Sequence, residues 1–283
     1  MIRLSAVQLT STTEIEQNLT AIRAIINKIP KSKEHIVVLP ECCLFFGGKD
    51  KQQLALAQQD QLNHFLITEL TDIAKEFSIT LVAGTIPVLS SDEQKFYNRC
   101  CIFSSSGQLI THYDKIHLFD VNVSDNTNAY RESDHTQAGH NTCVTDLGFG
   151  KLGLSVCYDL RFPELYRQLR QQGANIISVP SAFTRHTGKA HWQALLQARA
   201  IENQVFIIAA GQEGVHQNGR ETWGHSMIIS PWGDILAHHD IGEGFASAEI
   251  DLCDVAQIRA NMPVATHNQF NVCLKDTSIK EHK

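Results

Sequence analysis

The sequence lacks an apolar run of the roughly 18 residues that a membrane-spanning helix needs. Its first nine residues contain no apolar segment followed by a small-residue cleavage site, so they do not resemble a secretion signal. We therefore expect a cytoplasmic protein with no membrane partner. The 24 Lys and Arg residues are outnumbered by 30 Asp and Glu residues, which gives a formal net charge of -6. This balance disfavours a nucleic-acid partner, because phosphate binding needs clustered basic side chains.

Motifs that hold metals or nucleotides are also missing. The chain has no CxxC pair, no HExxH run and no GxxxxGK[ST] loop, and pairs such as His238 with His239 lack the usual ligand spacing. The eight cysteines lie at irregular spacings in a chain that is large enough to fold without cross-links. We expect most of them to be reduced and inert, and we expect neither a metal nor a cofactor.

Short apolar, β-branched runs alternate with helical patterns along the chain, which is typical of an α/β fold. Strands are predicted at residues 2–9, 35–39, 80–86, 99–104, 108–113, 151–156, 175–179, 205–210, 225–230 and 246–250. Helices are predicted at residues 14–28, 61–77, 163–172 and 191–203. No Pro-, Gly- or Ser-rich linker divides the chain, so we expect a single domain over residues 1–275 and a polar tail at 276–283.

Two charged residues follow predicted strands. Glu41 comes after an apolar run and Pro40, and Lys115 comes soon after the strand predicted at 108–113. Ligands of α/β folds bind at strand ends, where a carboxylate can act as a general base and a lysine can stabilise negative charge on oxygen. Taken alone, Glu41 would more often be an exposed loop acid or a helix N-cap, and Lys115 would more often be a solvated surface lysine.

Cys157 is the candidate nucleophile. It follows the strand predicted at 151–156, just before a helix opened by Pro163, as in a nucleophile elbow. Backbone N–H groups at a helix start can lower the pKa of a thiol, and one of them can bind an oxyanion. A buried core cysteine is the alternative. A Cys–His dyad is a rival arrangement, with His117 and His225 as the best-placed histidines, although His225 is better explained as structural.

Three segments carry a resemblance to a known family. They are Leu-Pro-Glu at 39–41, Tyr-Asp-Lys-Ile-His-Leu-Phe-Asp at 113–120 and Cys-Tyr-Asp-Leu-Arg-Phe-Pro-Glu-Leu at 157–165. In their order and separations they resemble the signature segments of the nitrilase superfamily of carbon–nitrogen hydrolases, and the likeness runs from about residue 2 to residue 270. The resemblance implies a four-layer α-β-β-α sandwich with two sheets packed face to face. It also implies a homodimer or larger homo-oligomer that is joined through helices.

The resemblance also implies a mechanism. Cys157 would attack the carbon of an amide while Glu41 accepts its proton, and a thioester would form on the cysteine. The oxyanion would lie between Lys115 and the backbone N–H of Tyr158. Neither a metal, a nucleotide nor a flavin is needed for this reaction.

A fourth catalytic residue is implied by the segment Tyr-Arg-Glu-Ser at 130–133, which resembles a further family segment. Its glutamate, Glu132, would position the substrate nitrogen and the water, and it would help to hold Lys115. This role would explain an ordered conformation of the long polar stretch at 122–141.

The residues around the cysteine resemble those of amidase branches rather than those of true nitrilases. Segments 117–121, 181–184 and 187–192 are most similar to the deaminated glutathione amidase branch, with the ω-amidase branch as its near neighbour. The implied reaction converts deaminated glutathione to 2-oxoglutarate and cysteinylglycine, which is a metabolite repair reaction. Hydrolysis of 2-oxoglutaramate, another small-amide or carbamoyl hydrolysis, and a non-catalytic binding module are the alternatives.

Such substrates are anionic, so a net-acidic protein has to concentrate positive charge where they bind. The segment 185–191 carries basic residues after a predicted strand, and Arg161 lies four residues after Cys157. A solvated loop for Arg185 and a structural ion pair for Arg161 are equally weighted alternatives. The residues expected to contact the substrate are Phe183, Thr184, Arg161, Arg185 and Tyr130.

Overall fold

Two large β-sheets form the centre of the part of the chain that the structure describes. The computed structural model describes residues 1–123 and 129–274 of the 283-residue chain. The polar tail expected at 276–283 lies outside these residues, and so do residues 124–128 of the polar stretch. The single-domain boundary at residue 275 stays a prediction.

The strands of the described residues fall into two six-stranded sheets and two hairpins. In chain order they are β1 (Ile2–Gln8), β2 (His35–Val38), β3 (Thr80–Leu89), β4 (Phe96–Phe103), β5 (Leu109–Asp114), β6 (Asp120–Asn122), β7 (Ala129–Arg131), β8 (Val144–Asp146), β9 (Lys151–Leu154), β10 (Ile176–Ser181), β11 (Phe206–Gly211), β12 (Glu213–Val215), β13 (Glu221–Trp223), β14 (Ser226–Ile229), β15 (Ile235–His239) and β16 (Gly244–Ile250). The first sheet has the order β16-β1-β2-β3-β4-β5 and the second β15-β14-β11-β10-β9-β8, while β6 pairs with β7 and β12 with β13. Strands β1 to β3 run parallel, as do β9 to β11.

Helices cover the outer faces of both sheets. They are α1 (Ile15–Ile26), α2 (Asp50–Asn63), α3 (Phe65–Phe77), α4 (Pro163–Gln171), α5 (Arg185–Asn203), α6 (Cys253–Asn261) and α7 (Val264–His267), with short 3-10 helices at Glu132–Asp134 and Cys157–Arg161. Apolar residues of α1 and α3 share a buried cluster with the first sheet. Those of α4 and α5 share a second cluster with the second sheet.

The alternating direction of side chains along each strand explains why helices and sheets form four layers. In β2, Val37 belongs to the cluster with α1 and α3, whereas its neighbour Val38 belongs to the cluster that contains Val179 and Ile207 of the second sheet. Successive side chains of a strand point to opposite faces, so the first sheet buries one face on helices and the other on the second sheet. The predicted four-layer α-β-β-α sandwich is confirmed.

All ten predicted strands are present, with ends that differ by at most three residues. Six further strands among the described residues, β6, β7, β8, β12, β13 and β15, were not predicted, because they have three to five residues and are mostly half-buried or exposed. The helices predicted at 14–28 and 163–172 correspond to α1 and α4.

Two helix predictions need correction. The helix predicted at 61–77 is interrupted at His64, whose φ of 53° places it in the left-handed region and separates α2 from α3. The helix predicted at 191–203 starts earlier, at Arg185, because the side chain of Thr184 caps it by accepting a hydrogen bond from Thr187 N. Arg185 therefore lies in the first turn of a helix and not in a loop.

Within residues 1–123 and 129–274, no helix combines the length and the apolar character that crossing a bilayer requires. The cytoplasmic location stays a prediction.

Candidate active site

The catalytic candidates meet in one cavity where strands of the two sheets end. Glu41 follows β2 and Lys115 follows β5 in the first sheet, and Cys157 follows β9 in the second. These three side chains and Glu132 line a cavity of about 410 Å³. Residues that are far apart in the sequence are thus brought together because the two sheets pack face to face.

Lys115 lies at the centre of this group. Its side chain is 2% exposed, and its Nζ donates hydrogen bonds to Glu41 Oε1 at 2.8 Å and to Glu132 Oε1 and Oε2 at 3.0 and 2.8 Å. Burial alone would lower the pKa of Lys115, but the carboxylates of Glu132 and Glu41 outweigh it and raise this pKa well above its usual value. Lys115 is therefore a fixed positive charge.

Glu41 is held on both carboxylate oxygens. Besides Lys115, Asn98 Nδ2 donates to its Oε1 at 3.0 Å and the backbone N–H of Ala182 donates to its Oε2 at 3.0 Å. Burial would raise the pKa of Glu41, but the charge of Lys115 and a hydrogen bond from the Cys157 thiol outweigh it, so this pKa lies below its usual value. Glu41 is therefore an ionised carboxylate in contact with the candidate nucleophile, as a general base must be.

Cys157 adopts a conformation that few non-glycine residues adopt. Its φ of 49° places it in the left-handed region at the start of the 3-10 helix Cys157–Arg161, directly after the buried Val156. The expected sharp turn between strand and helix is therefore present, and its strain is of the kind that collects at functional sites.

The expectation of a lowered thiol pKa is wrong. Burial and the charge of Glu41 raise the pKa of Cys157 well above its usual value, and the charge of Lys115 only partly opposes them. The side chain is 7% exposed, so the helix start does not compensate for the loss of water around the sulfur. In the resting protein Cys157 is therefore a neutral thiol beside the ionised Glu41.

Glu132 is the second carboxylate that contacts Lys115. It begins the 3-10 helix Glu132–Asp134, and its Oε2 also accepts a hydrogen bond from Phe119 N at 2.7 Å. Asn98, on β4, links the two carboxylates, because its Nδ2 lies 3.0 Å from Glu41 Oε1 and 3.3 Å from Glu132 Oε1. Asn98 was not predicted as a site residue, since an Asn within a strand carries no sequence pattern of its own.

Asp159 fixes the turn that carries the thiol. Its buried carboxylate accepts hydrogen bonds from Val156 N at 2.8 Å and from Tyr113 Oη at 2.8 Å. It also accepts one from His117 N at 3.1 Å and lies 2.7 Å from His117 Nδ1. Asp159 was not predicted as a site residue, although its position two residues after Cys157 is a usable signal.

The Cys–His dyad finds no support in this geometry. His117 pairs with Asp159, and His225 Nδ1 lies 3.0 Å from His238 Nε2. No histidine lines the cavity among the residues that the structure describes.

A cluster of possible metal ligands lies outside the cavity, at His225, His238 and Asp240, whose ligand atoms lie within 4.8 Å of one another. The ring of His238 directs Nε2 at His225 and Nδ1 at Asp240. A single metal ion could therefore not take the place of both contacts of the His238 ring.

Four of the five residues expected to contact the substrate line the cavity, namely Phe183, Thr184, Arg161 and Tyr130, and so does Tyr158. The guanidinium carbon of Arg161 lies 5.2 Å from the ring centroid of Phe183 and 5.9 Å from that of Tyr158. Arg185 is not among the lining residues, and its Nη1 forms an ion pair with Glu221 at 3.0 Å.

The cavity is positive although the chain is acidic. Its described lining contains five cationic side chains and two carboxylates, a formal excess of three positive charges against a net charge of -6 for the chain. The carboxylates are Glu41 and Glu132, and the cations are Lys49, Lys115, Arg131, Arg161 and Arg220. A cavity with this excess of positive charge favours an anionic ligand.

The chain is similar to amidases over nearly its whole length. A family model described as carbon-nitrogen hydrolase matches residues 3–260. The deaminated glutathione amidase of Dictyostelium discoideum is 41% identical over 276 residues, which cover 95% of this chain and 94% of that protein. The protein of the same name from Synechocystis is 43% identical over 272 residues, which cover 94% and 97%.

Solved structures show the same architecture. The Caenorhabditis elegans NitFhit protein matches with a TM-score of 0.89 and 35% identity, covering 97% of this chain and 67% of that one. Saccharomyces cerevisiae Nit3, described as a member of branch 10 of the nitrilase superfamily, matches with a TM-score of 0.80 and 30% identity, covering 95% and 97%.

Proposed function

This chain belongs to the carbon–nitrogen hydrolase family, and from that premise we propose that it is an amidase that hydrolyses deaminated glutathione to 2-oxoglutarate and cysteinylglycine. The observation that carries the proposal is the placement of the buried Cys157 and the buried Lys115–Glu41 ion pair in one positive cavity. The relatives named deaminated glutathione amidase, at 41% and 43% identity, support this substrate.

Acylation begins when the sulfur of Cys157 attacks the amide carbon and its proton passes to Glu41. The charge that develops on the carbonyl oxygen is stabilised by Lys115 Nζ and by the backbone N–H of Tyr158. The carbon–nitrogen bond then breaks, the proton on Glu41 passes to the leaving amine, and the acyl group stays on Cys157 as a thioester.

Deacylation repeats these steps with water. Glu41 accepts a proton from the water that attacks the thioester carbon, and the same two donors stabilise the second oxyanion. The carbon–sulfur bond breaks, and the proton returns to Cys157. Glu132 keeps Lys115 in place through both halves of the reaction and orients the substrate nitrogen and the water.

Substrate binding uses the positive side of the cavity. Deaminated glutathione carries two carboxylates, and Arg161 can bind one of them because its guanidinium lines the cavity and is paired with no carboxylate of the described residues. Phe183, Thr184 and Tyr130 line the same space and would shape the part that holds the substrate's carbon chain.

We also propose a homodimer. Ile201 on α5 and Trp232 in the turn between β14 and β15 are 52% and 60% exposed, and Ile201 packs against Gly233 in that turn. Neighbouring exposed apolar side chains of this size mark a protein–protein contact. Light scattering of the purified protein should give twice the chain mass, and Trp232→Glu should reduce it. A monomeric unaltered protein would contradict the proposal.

The test of the enzymatic proposal is the release of cysteinylglycine from deaminated glutathione, followed by mass spectrometry, with Cys157→Ala as the control. Parallel assays measure ammonia release from 2-oxoglutaramate and from simple aliphatic amides. Turnover that depends on Cys157 and is fastest on deaminated glutathione supports the proposal.

Three outcomes would replace the proposed function. Faster turnover of 2-oxoglutaramate would make the protein an ω-amidase, and turnover of neutral or carbamoyl amides alone would place it in another branch of the family. No turnover of any amide would favour the non-catalytic binding module.

A further inference from the structure

Arg220 lines the cavity, although no sequence pattern marks it as a site residue. It lies in the hairpin loop between β12 and β13, just before Glu221. Its guanidinium carbon lies 5.0 Å from the ring centroid of Phe46 and 5.0 Å from that of Tyr130. Its Nη2 donates a hydrogen bond to the backbone carbonyl of Ala182 at 2.9 Å. These contacts fix the guanidinium within the wall of the cavity.

The donors of Arg220 are incompletely used. Its Nε is buried, and none of the described residues accepts a hydrogen bond from it. No described carboxylate forms an ion pair with its guanidinium, whereas Lys115 contacts two carboxylates in the same cavity. No described residue accepts a hydrogen bond from Nη1 either, so this cation in the cavity wall has donor capacity for an anionic group of the ligand.

The chemistry of that acceptor follows from the guanidinium. Its N–H groups lie in one plane, and the fork that they form matches the two oxygens of a carboxylate. The contacts with Phe46 and Tyr130 hold this plane in place, so little side-chain freedom is lost when the ligand binds. A carboxylate is also the group that an acidic amide substrate would bring.

We propose that Arg220 binds a carboxylate of the substrate, at a subsite separate from that of Arg161. This inference rests on the proposed function in that it takes the substrate to be an acidic amide. Arg161 lies against Phe183 and Tyr158, whereas Arg220 lies against Phe46 and Tyr130, so the two guanidinium groups face the cavity from different sets of aromatic rings. Two separate cations match the two carboxylates of deaminated glutathione.

The kinetic test compares Arg220→Gln and Arg220→Lys with the unaltered enzyme at pH 8. We expect Arg220→Gln to lower kcat/KM for deaminated glutathione at least tenfold, on the order expected for a lost charge-assisted hydrogen bond, and mainly through KM. Arg220→Lys should recover part of the loss, because it keeps the charge but not the planar fork. Arg23→Gln, on the outer surface of α1, is the matched control and should leave the kinetics unchanged.

A second substrate shows which carboxylate is bound. 2-Oxoglutaramate has only the carboxylate of the acyl part, so a loss on both substrates assigns Arg220 to the acyl part, and a loss on deaminated glutathione alone assigns it to the leaving group. Either loss supports the subsite. An unchanged KM for both substrates overturns it.

A purely structural role for Arg220 is tested with a neutral reagent. Iodoacetamide carries no carboxylate, so its reaction with Cys157, measured by peptide mass, should proceed at the same rate in Arg220→Gln and in the unaltered enzyme. An equal loss of alkylation and of turnover would mean that the variant disturbs the site through Ala182 and Glu41, which would overturn the proposal.

The proposed subsite can also be tested independently of the amidase activity. Calorimetry measures the binding of 2-oxoglutarate and of cysteinylglycine to the unaltered protein and to Arg220→Gln. If deaminated glutathione is not hydrolysed, the proposed function fails, but weaker binding of either compound to the variant still supports the subsite. Equal binding by the two proteins, or no binding by either, overturns it.

Discussion

Replacing Lys115 by methionine tests whether this one ammonium holds the site together. Its Nζ makes three hydrogen bonds of 2.8 to 3.0 Å to Glu41 and Glu132, and no solvent replaces it in Lys115→Met because the position is buried. Removing one partner of a buried ion pair costs about 3–5 kcal/mol, which for a chain of this size corresponds to a fall in Tm of roughly 6–10 °C. Methionine has a similar volume, so the loss reports charge rather than a cavity.

The dependence on pH distinguishes this explanation from a packing defect. In the unaltered protein the pKa of Glu41 is lowered, because Lys115 and the Cys157 hydrogen bond outweigh burial, so Glu41 stabilises the fold above the ordinary value near 4.5 and this contribution is lost as the pH falls through the lowered pKa. In Lys115→Met burial dominates, and the pKa of Glu41 rises above its unfolded value. The ionised, buried Glu41 then destabilises the fold of the variant. This loss of stability is complete at pH values above the raised pKa and becomes smaller as the pH falls.

Urea unfolding at pH 8 and pH 5 measures both effects. We expect the difference in unfolding free energy between the two proteins to be largest at pH 8 and smaller at pH 5, and we expect amidase activity to be lost at both. Lys31→Met, at an exposed position, is the matched control. A Lys115→Met protein as stable as the unaltered one at pH 8, or destabilised equally at both pH values, would refute the reasoning.

Three further predictions follow from other contacts. The acid limb of the profile of kcat/KM against pH should lie below the usual carboxyl pKa near 4.5, because the base must stay ionised and the pKa of Glu41 is lowered. Tyr113→Phe removes the hydrogen bond to the buried Asp159, so urea unfolding should show a loss of about 1.5–3 kcal/mol, with a lower kcat. Gly84→Ala should cost about 1–3 kcal/mol by the same measurement and reduce activity, because a Cβ would lie 2.0 Å from the carbonyl oxygen of Pro40, next to the catalytic base.

Each of these predictions has a contradicting outcome. An acid limb above pH 5 would mean that a different group is the base. Tyr97→Phe changes a half-buried tyrosine on β4 and should have little effect, so an equal loss in both tyrosine variants would remove the special role of the Asp159 contact. Full activity and stability in Gly84→Ala would show that β2 and β3 can separate without moving Glu41.

Much of the fold was predictable because its strands are buried on both faces. Runs such as Ile36–Val38 and Phe206–Ala210 are continuous and apolar, so their composition alone locates them in the sequence. The short hairpin strands and α2 were not predictable, since α2 is rich in Gln and shows little apolar periodicity. The break at His64 was missed because a single left-handed residue leaves no trace in the spacing of apolar side chains.

The site was predictable where a residue follows a strand and not where its role depends on a partner. Positions that follow a predicted strand can be read from the sequence, and these are Glu41, Lys115 and Cys157. Asn98 and Arg220 acquire their contacts from residues more than 30 positions away, which no local pattern reports. The predicted direction of the pKa shift of Cys157 was wrong. Burial and the nearby Glu41 are both tertiary effects, and they exceed the influence of the helix start on this pKa.

The protonated state of Cys157 also has a consequence for redox chemistry. Peroxides and disulfides react with a thiolate and hardly with a thiol. Since burial and Glu41 raise the pKa of Cys157, the nucleophile is exposed to oxidation only while Glu41 takes its proton during attack on a carbonyl. Between turnovers the same carboxylate that activates the sulfur keeps it as the thiol, its least oxidisable form, and after attack the acyl group on the sulfur blocks oxidation in turn.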